Sequence, residues 1–147
     1  MNRRHLIAIA FGTILAVATS GTASGADFPA GSPKFHTSHA AALKAGKESG
    51  KPVVMIFSAS WCPPCQANKK NVYPSKEVKA HHDKFVWAYL DADDKANHPA
   101  MEKAGVTGIP HIEIIDKSGK TIGQSVGGTS PAEFASTLEA AAKQAAK

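Results

Sequence analysis

Short apolar runs in the middle and the second half of the chain predict the strands of a sheet. Residues 53–57 (VVMIF) and 85–90 (FVWAYL) are continuous runs of β-branched and aromatic residues, a composition typical of strands buried on both faces. Residues 112–116 and 121–126 flank the polar turn 117–120, so they predict a hairpin. We expect these four strands to belong to one sheet.

Polar and alanine-rich stretches between the strands predict helices. Gly50 ends the first helix, and Ser130 with Glu133 forms a capping box that opens the last, with Pro131 at its first position. The predicted helices span residues 38–49, 63–72, 75–82, 95–104 and 131–145. Residues 27–37 are rich in Pro and Gly and predict a leader or an edge segment. The order of elements indicates an α/β fold, with a central mixed β-sheet flanked by helices on both faces.

The first 26 residues have the pattern of an export signal. A positively charged start precedes an apolar run at residues 6–18, and small residues then lead to Ala26, which fits a cleavage site. The run has 13 residues, fewer than the about 20 that a membrane span needs. We therefore expect a signal peptide at 1–26, one domain at 27–147, and a periplasmic or secreted protein; an uncleaved anchor is the alternative.

The charge of the chain argues against a nucleic-acid partner. The formal net charge is +5 for the whole chain and +3 without residues 1–26, and the remaining residues contain no Arg. Arg is the usual residue for bidentate contacts to phosphates and bases. The length fits one domain with its own core, and we expect a monomer.

The chain has two cysteines, and their spacing indicates a redox pair. Cys62 and Cys65 directly follow a predicted strand and lie three residues apart at the start of a predicted helix, within bridging reach of each other. A structural bridge across so short a loop would contribute about 2 kcal/mol, against about 4.7 kcal/mol for a loop of a hundred residues. A helix start also stabilises a thiolate. A structural disulfide and a metal site remain the alternatives.

The segment from Val53 to Cys65 (VVMIFSASWCPPC) resembles the strand and active-site segment of the thioredoxin superfamily. Residues 105–110 (GVTGIP) resemble the loop whose proline is cis in that family, and Gly127-Gly128 resembles the break before its last helix. The resemblance covers about residues 38–145 and implies the thioredoxin fold. Residues 65–78 look most like the periplasmic C-terminal domain of transmembrane thiol:disulfide interchange reductases, and are also similar to small secreted thioredoxin-like proteins.

The resemblance implies a role for each residue of the site. Cys62 is the exposed nucleophile that forms a mixed disulfide with a substrate protein, and Cys65 is the buried thiol that resolves it. The residues expected to support the pair are Trp61, Pro63, Pro64, Ile109 and Pro110. Pro110, if cis, would offer a backbone edge to an extended substrate segment.

The sequence departs from the family at the proton acceptor of the resolving cysteine. Ile56 stands where thioredoxins usually carry a buried Asp, and Tyr89 stands where a Lys often accompanies it. His111 and Glu113 are the nearest candidates for the missing acceptor. In the alternative interpretation His111 lies at the rim and Glu113 faces water, because ionised groups are rarely buried unpaired.

The leading hypothesis is an exported thiol:disulfide oxidoreductase without a bound cofactor or metal. Pro63 and Pro64 have no backbone N–H to stabilise a Cys62 thiolate, so we expect a reductant that acts on protein thiols and disulfides. Such a reductant needs recharging, which predicts a membrane-embedded electron donor. The alternatives are a copper or zinc delivery module, with Cys62, Cys65 and His111 as Cu(I) ligands, and a non-enzymatic adaptor with a permanent disulfide.

Overall fold

The computed structural model describes residues 28–147, and they form a five-stranded mixed sheet with helices on both faces. The predicted signal peptide lies outside the described residues. In chain order the strands are β1 (Phe35–His36), β2 (Val53–Ser58), β3 (Val86–Asp91), β4 (His111–Ile115) and β5 (Thr121–Val126). Their spatial order is β1-β3-β2-β4-β5. The segment predicted as a leader or an edge contributes β1, which is the edge strand.

Strand β2 lies at the centre of the sheet. It is parallel to β3 and antiparallel to β4, and β4 forms a hairpin with β5. All six side chains of β2 are buried, as its continuous apolar run predicted. Ile56 pairs with Tyr89 on one side and with Ile112 on the other, which fixes the faces to which neighbouring side chains point.

Five α-helices cover the sheet. They are α1 (His39–Ser49), α2 (Pro63–Asn71), α3 (Lys76–Lys79), α4 (His98–Lys103) and α5 (Pro131–Ala145). Gly50 ends α1 in the left-handed conformation with φ of 70°, and the capping box of Ser130 and Glu133 opens α5 as predicted. None of the helices in the described part is long and apolar enough to cross a membrane.

Two of the predicted helices are shorter than the sequence indicated. The stretch predicted at 75–82 contains only α3, and a separate 3-10 turn follows at His82–Lys84. The stretch predicted at 95–104 divides into a 3-10 turn at Lys95–Asn97 and α4. Pro99 lies in the first turn of α4, and because it lacks an N–H it cannot continue a hydrogen-bonded helix from the preceding turn.

The two faces of the sheet have different cores. The face covered by α2 and α5 is largely aromatic, whereas the face covered by α1 and α4 is largely aliphatic. The aromatic core includes Phe35, Tyr73, Phe85, Trp87 and Phe134 together with Ile56, Ile112 and Ile114. The aliphatic core includes Ala42, Val53, Met55, Leu90, Ala100 and Ile115 together with Phe57. We call these the α2 face and the α1 face.

Candidate functional site

Cys62 and Cys65 form a disulfide at the point where β2 gives way to α2. Cys62 is the N-cap residue of α2, and Pro63 and Pro64 occupy the first turn. The Cα atoms of the two cysteines are 5.2 Å apart, and the backbone N–H of Cys65 donates to Sγ of Cys62 over 3.3 Å. The structure therefore represents the oxidised form of the pair.

Both cysteines are covered in this oxidised form. Cys62 exposes 3% of its surface and Cys65 none, and the two pack with Ala59 and Ile109. The expectation of an exposed Cys62 is therefore wrong for the disulfide state, in which Ala59 and Ile109 pack against the pair.

The loop that ends at Pro110 lies against the disulfide. The Ile109–Pro110 peptide bond is cis, as the resemblance implied. The carbonyl oxygen of Ile109 lies 3.7 Å from Sγ of Cys62. This oxygen is the polar atom that a Cys62 thiol would face after reduction.

Asn68 of α2 is hydrogen-bonded to the loop that follows β5. It is 2% exposed; its Nδ2 donates to the Gly127 carbonyl over 3.4 Å and its Oδ1 accepts from the Thr129 N–H over 3.2 Å. The Gly127 N–H in turn donates to the Pro110 carbonyl over 2.8 Å. The active-site helix and the proline loop are thereby held at a fixed separation. The sequence analysis did not identify Asn68, because its partners are about 60 residues away in the chain.

Two large apolar side chains remain exposed beside the disulfide. Trp61 is 66% exposed and Val126 is 59% exposed. Trp61 is held by Asp93, whose Oδ2 accepts from the indole N–H over 2.7 Å. Val126 pairs with His111 at the end of β5, next to the proline loop. Trp61 thus directly precedes Cys62 in the chain, and Val126 lies beside the proline loop that contacts the disulfide.

A small polar network lies on the α2 face, beside the position where the family usually carries a buried Asp. Ile56 fills that position and is fully buried. Two residues further along β2, the hydroxyl of Ser58 is hydrogen-bonded to that of Tyr89 over 2.6 Å. Gln66, which follows Cys65, donates to the Ala59 carbonyl over 2.9 Å and also reaches Tyr89. Burial raises the pKa of Tyr89, so the phenol keeps its proton at neutral pH.

The two predicted proton acceptors lie on the other face of the sheet. His111 pairs with Phe57 and Glu113 with Met55, so both point to the α1 face, away from α2. His111 accepts a hydrogen bond from Nε2 of Gln124 over 3.1 Å, and Glu113 accepts from Oγ1 of Thr121 over 2.6 Å.

Neither His111 nor Glu113 is hydrogen-bonded to a cysteine within residues 28–147. The alternative interpretation is also incorrect, because His111 is 2% and Glu113 9% exposed. Burial lowers the pKa of His111, which is therefore neutral at pH 7.

The described residues contain no group of three His, Cys, Asp or Glu side chains arranged to hold a metal ion. The set considered for Cu(I) was Cys62, Cys65 and His111. Of these, only the two cysteines pack together, with Ala59 and Ile109 around them.

Comparison with known proteins gives the family. Residues 40–142 match the family model described as "Thioredoxin-like domain". The chain is 31% identical over 127 residues to the thioredoxin-like protein HCF164, chloroplastic, of Arabidopsis thaliana, covering 86% of this chain and 46% of that protein. It is 32% identical over 85 residues to the thiol:disulfide interchange protein DsbD of Vibrio cholerae, covering 55% of this chain and 14% of that protein.

Among solved structures, the oxidised C-terminal domain of DsbD from Neisseria meningitidis superimposes with a TM-score of 0.61 at 25% identity, covering 68% of this chain and 89% of that domain. The chain belongs to the thioredoxin-like domain family, and its fold is the thioredoxin fold. The relatives include proteins named as thiol:disulfide interchange proteins, and this chain has a disulfide at the end of β2. It spans less than half the length of the HCF164 protein and matches only a part of DsbD.

Proposed function

We propose that this protein is an exported reductant that passes electrons to protein disulfides through Cys62 and Cys65. The observation that carries the proposal is the start of α2. Its first two residues are prolines without N–H groups, and the Cys65 N–H is the backbone donor that reaches Sγ of Cys62, at 3.3 Å. A thiolate at Cys62 is thus weakly stabilised, and a weakly stabilised thiolate corresponds to a more reducing pair.

The reaction proceeds in two exchanges. The Cys62 thiolate attacks one sulfur of a substrate disulfide, forms a mixed disulfide with it, and releases the other substrate sulfur as a thiolate. The Cys65 thiolate then attacks Sγ of Cys62 and releases the second substrate thiolate. Two electrons and no other group pass to the substrate, and the protein ends as the Cys62–Cys65 disulfide described above.

Substrate proteins would dock on the apolar surface around the disulfide. Trp61 and Val126 supply this surface, and the proline loop supplies the adjoining backbone. Exposed aromatic side chains beside a rigid loop are typical anchors of protein interfaces. We place no bound cofactor in the reaction, since the dithiol itself carries the electrons, and we expect a monomer that does not bind nucleic acid.

Export and the electron donor complete the proposal. The pattern of residues 1–26 supports export to the periplasm or the outside of the cell. Because such compartments are oxidising, the reduced form has to be regenerated there. The similarity to a domain of DsbD supports a membrane-embedded dithiol protein as the donor.

A redox titration tests the direction of electron flow. The purified protein is equilibrated against a dithiothreitol or glutathione series, and its thiols are counted by alkylation. We expect a potential nearer the about −270 mV of thioredoxin than the about −120 mV of a strong periplasmic oxidant. A value above about −170 mV would assign the protein to oxidation or isomerisation instead. A bridge that stays closed below about −300 mV would indicate a permanent structural disulfide.

Trapping identifies the partners. The Cys65→Ser variant keeps the attacking thiol but cannot resolve the mixed disulfide, so substrates should remain bound until a reductant is added. The matched control is Cys62→Ser, which keeps the buried thiol and should trap nothing. Equal trapping by the two variants would refute the roles given to the two cysteines.

A further inference from the structure

A cavity lies on the α1 face, at the end of the sheet away from the disulfide. Its volume is about 260 Å³, and its walls include the beginning of β2, the end of β4 and the turn between β4 and β5. Ala100 and Lys103 of α4 also line it. The apolar part of the wall consists of Leu43, Val53, Met55, Ala100 and Ile115.

Glu113 lines this cavity and has unused capacity to accept hydrogen bonds. Only 9% of its surface is exposed, and its Oε1 accepts from Thr121 over 2.6 Å. No other hydrogen bond and no ion pair joins it to a residue within 28–147. A carboxylate offers about four acceptor positions, and a buried charge without partners is unfavourable. The Glu113 carboxylate is therefore suited to a hydrogen-bond donor that enters the cavity.

The rim of the cavity is positively charged. Lys47, Lys51, Lys103 and Lys117 line it and are exposed, and none of them forms an ion pair within the described residues. The second acid of the lining, Asp116, already accepts three hydrogen bonds from its own turn.

His39 adds no charge of its own at neutral pH. Burial and the neighbouring Lys103 lower its pKa, so the ring is neutral. A carboxylate at the mouth of the cavity would meet uncompensated positive charge.

We propose that this cavity binds a small apolar carboxylic acid that carries an amino or hydroxyl group. The donor group meets Glu113, the apolar body lies between Leu43 and Ile115, and the carboxylate meets the rim lysines. The volume is just below the about 300–1,000 Å³ of pockets for drug-sized ligands, which fits a molecule of amino-acid size. This binding is separate from the redox reaction and does not depend on the proposed function.

Three acids of matched shape test the proposal. They are L-leucine, 2-hydroxy-4-methylpentanoate and 4-methylpentanoate, which carry an amino group, a hydroxyl group and no donor. Each is titrated into the oxidised protein, and the backbone amide signals of Met55, Ile115 and Thr121 are followed by NMR. We expect at least one of the first two acids to bind about tenfold or more tightly than 4-methylpentanoate, since a hydrogen bond to a charged group is lost in the latter. Which of the two binds distinguishes an amino acid from a hydroxy acid.

Two variants locate the site. Lys103→Gln should weaken the binding of the preferred acid several-fold, whereas Lys79→Gln, which removes an equally exposed charge from α3 outside the cavity, should leave it unchanged. Glu113→Gln, if its spectrum shows the native fold, should remove the preference for an acid with a donor group.

Three results would overturn the proposal. One is that none of the three acids shifts the cavity signals at 10-fold molar excess and above, up to about 20 mM. A millimolar Kd is measurable in this range. Another is equal affinity for all three acids. The last is an equal loss of affinity in Lys103→Gln and Lys79→Gln, which would indicate a general charge effect.

Discussion

The two faces of the sheet are built from one set of strands and differ in the kind of side chain that packs on them. On the α2 face, Phe35, Tyr73, Phe134 and Trp87 form a closed ring of edge-on contacts with centroids 5.8 to 6.2 Å apart. None of these four side chains is more than 2% exposed. On the α1 face, aliphatic side chains surround a cavity and two buried polar residues. The disulfide helix thus covers the face whose core contains the ring of aromatic side chains.

The comparison also explains where the polar residues of β4 lie. Successive side chains of a strand point to opposite faces, so Ile112 and Ile114 complete the aromatic core while His111 and Glu113 fall on the α1 face. The Glu113 carboxylate lines the cavity there and accepts a hydrogen bond from Thr121. On the α2 face the corresponding central position is Ile56, which is fully buried. The departure from the family pattern at Ile56 is therefore consistent with the packing of the face that contains it.

The largest expected loss of folding stability comes from the ring of four aromatic side chains. Phe134→Ala removes one of its four members and should lower the free energy of unfolding by about 3–5 kcal/mol. Leu43→Ala on the α1 face should cost about 2 kcal/mol or less, because Leu43 is half-buried and already borders a cavity. Urea denaturation of the two variants measures the difference. Equal losses would contradict the difference in burial between Phe134 and Leu43.

A smaller loss of folding stability is expected where hydrogen bonds link α2 to the proline loop. Asn68→Ala leaves the Thr129 N–H without its partner and should cost about 1–3 kcal/mol. It should also slow disulfide reduction, since the loop is no longer held against the helix. Asn71→Ala serves as the control, because Asn71 is exposed at the end of the same helix. A matching loss in the control would assign the effect to helix propensity.

The Ser58–Tyr89 hydrogen bond should contribute less. Tyr89→Phe removes the hydroxyl but keeps the ring against Phe28 and Phe35, so we expect a loss of about 1 kcal/mol. A double-mutant cycle with Ser58→Ala isolates the pair. Additive losses in the cycle would mean that the two hydroxyls are not coupled in solution.

The smallest change in folding stability is expected from pH, and its sign follows from the pKa of His111. Burial lowers the folded-state pKa of His111 below its unfolded value of about 6.5, so the unfolded chain binds the proton first as the pH falls. The protein should therefore lose stability between pH 7.5 and 5.5, and His111→Gln should reduce this loss. His39, His81 and His82 have pKa values lowered by burial too, so part of the slope should remain in the variant. Stability that is constant over this range would contradict the assignment.

Much of the fold could be predicted because its signals are local. The buried run of β2, the turn of the hairpin and the capping box of α5 each lie within a few residues, and the elements begin and end close to the predicted positions. The cysteine pair and the proline loop were found by their resemblance to a family. The helix predicted at 75–82 was too long. Its alanine and lysine residues favour a helix, but α3 ends at Lys79.

The rest of the site depends on contacts between distant residues. Asp93 lies 32 residues from Trp61 in the chain, yet its carboxylate accepts the hydrogen bond of the Trp61 indole. Asn68 showed no motif, and the direction of Glu113 depends on which face α2 covers. These features follow from strand register and from the path of loops, which a single sequence does not specify.

The placement of the two tryptophans gives this protein an optical reporter of its own chemistry. Trp61 is exposed and adjoins the disulfide, whereas Trp87 is 2% exposed and donates its indole N–H to the His82 carbonyl. Emission from Trp87 should thus be shielded from solvent, while Trp61 should emit from water and be quenched by the neighbouring disulfide. Reduction of the disulfide should increase only the red-shifted emission, which comes from Trp61. Turnover can therefore be followed in real time by fluorescence, without a dye and without altering a residue.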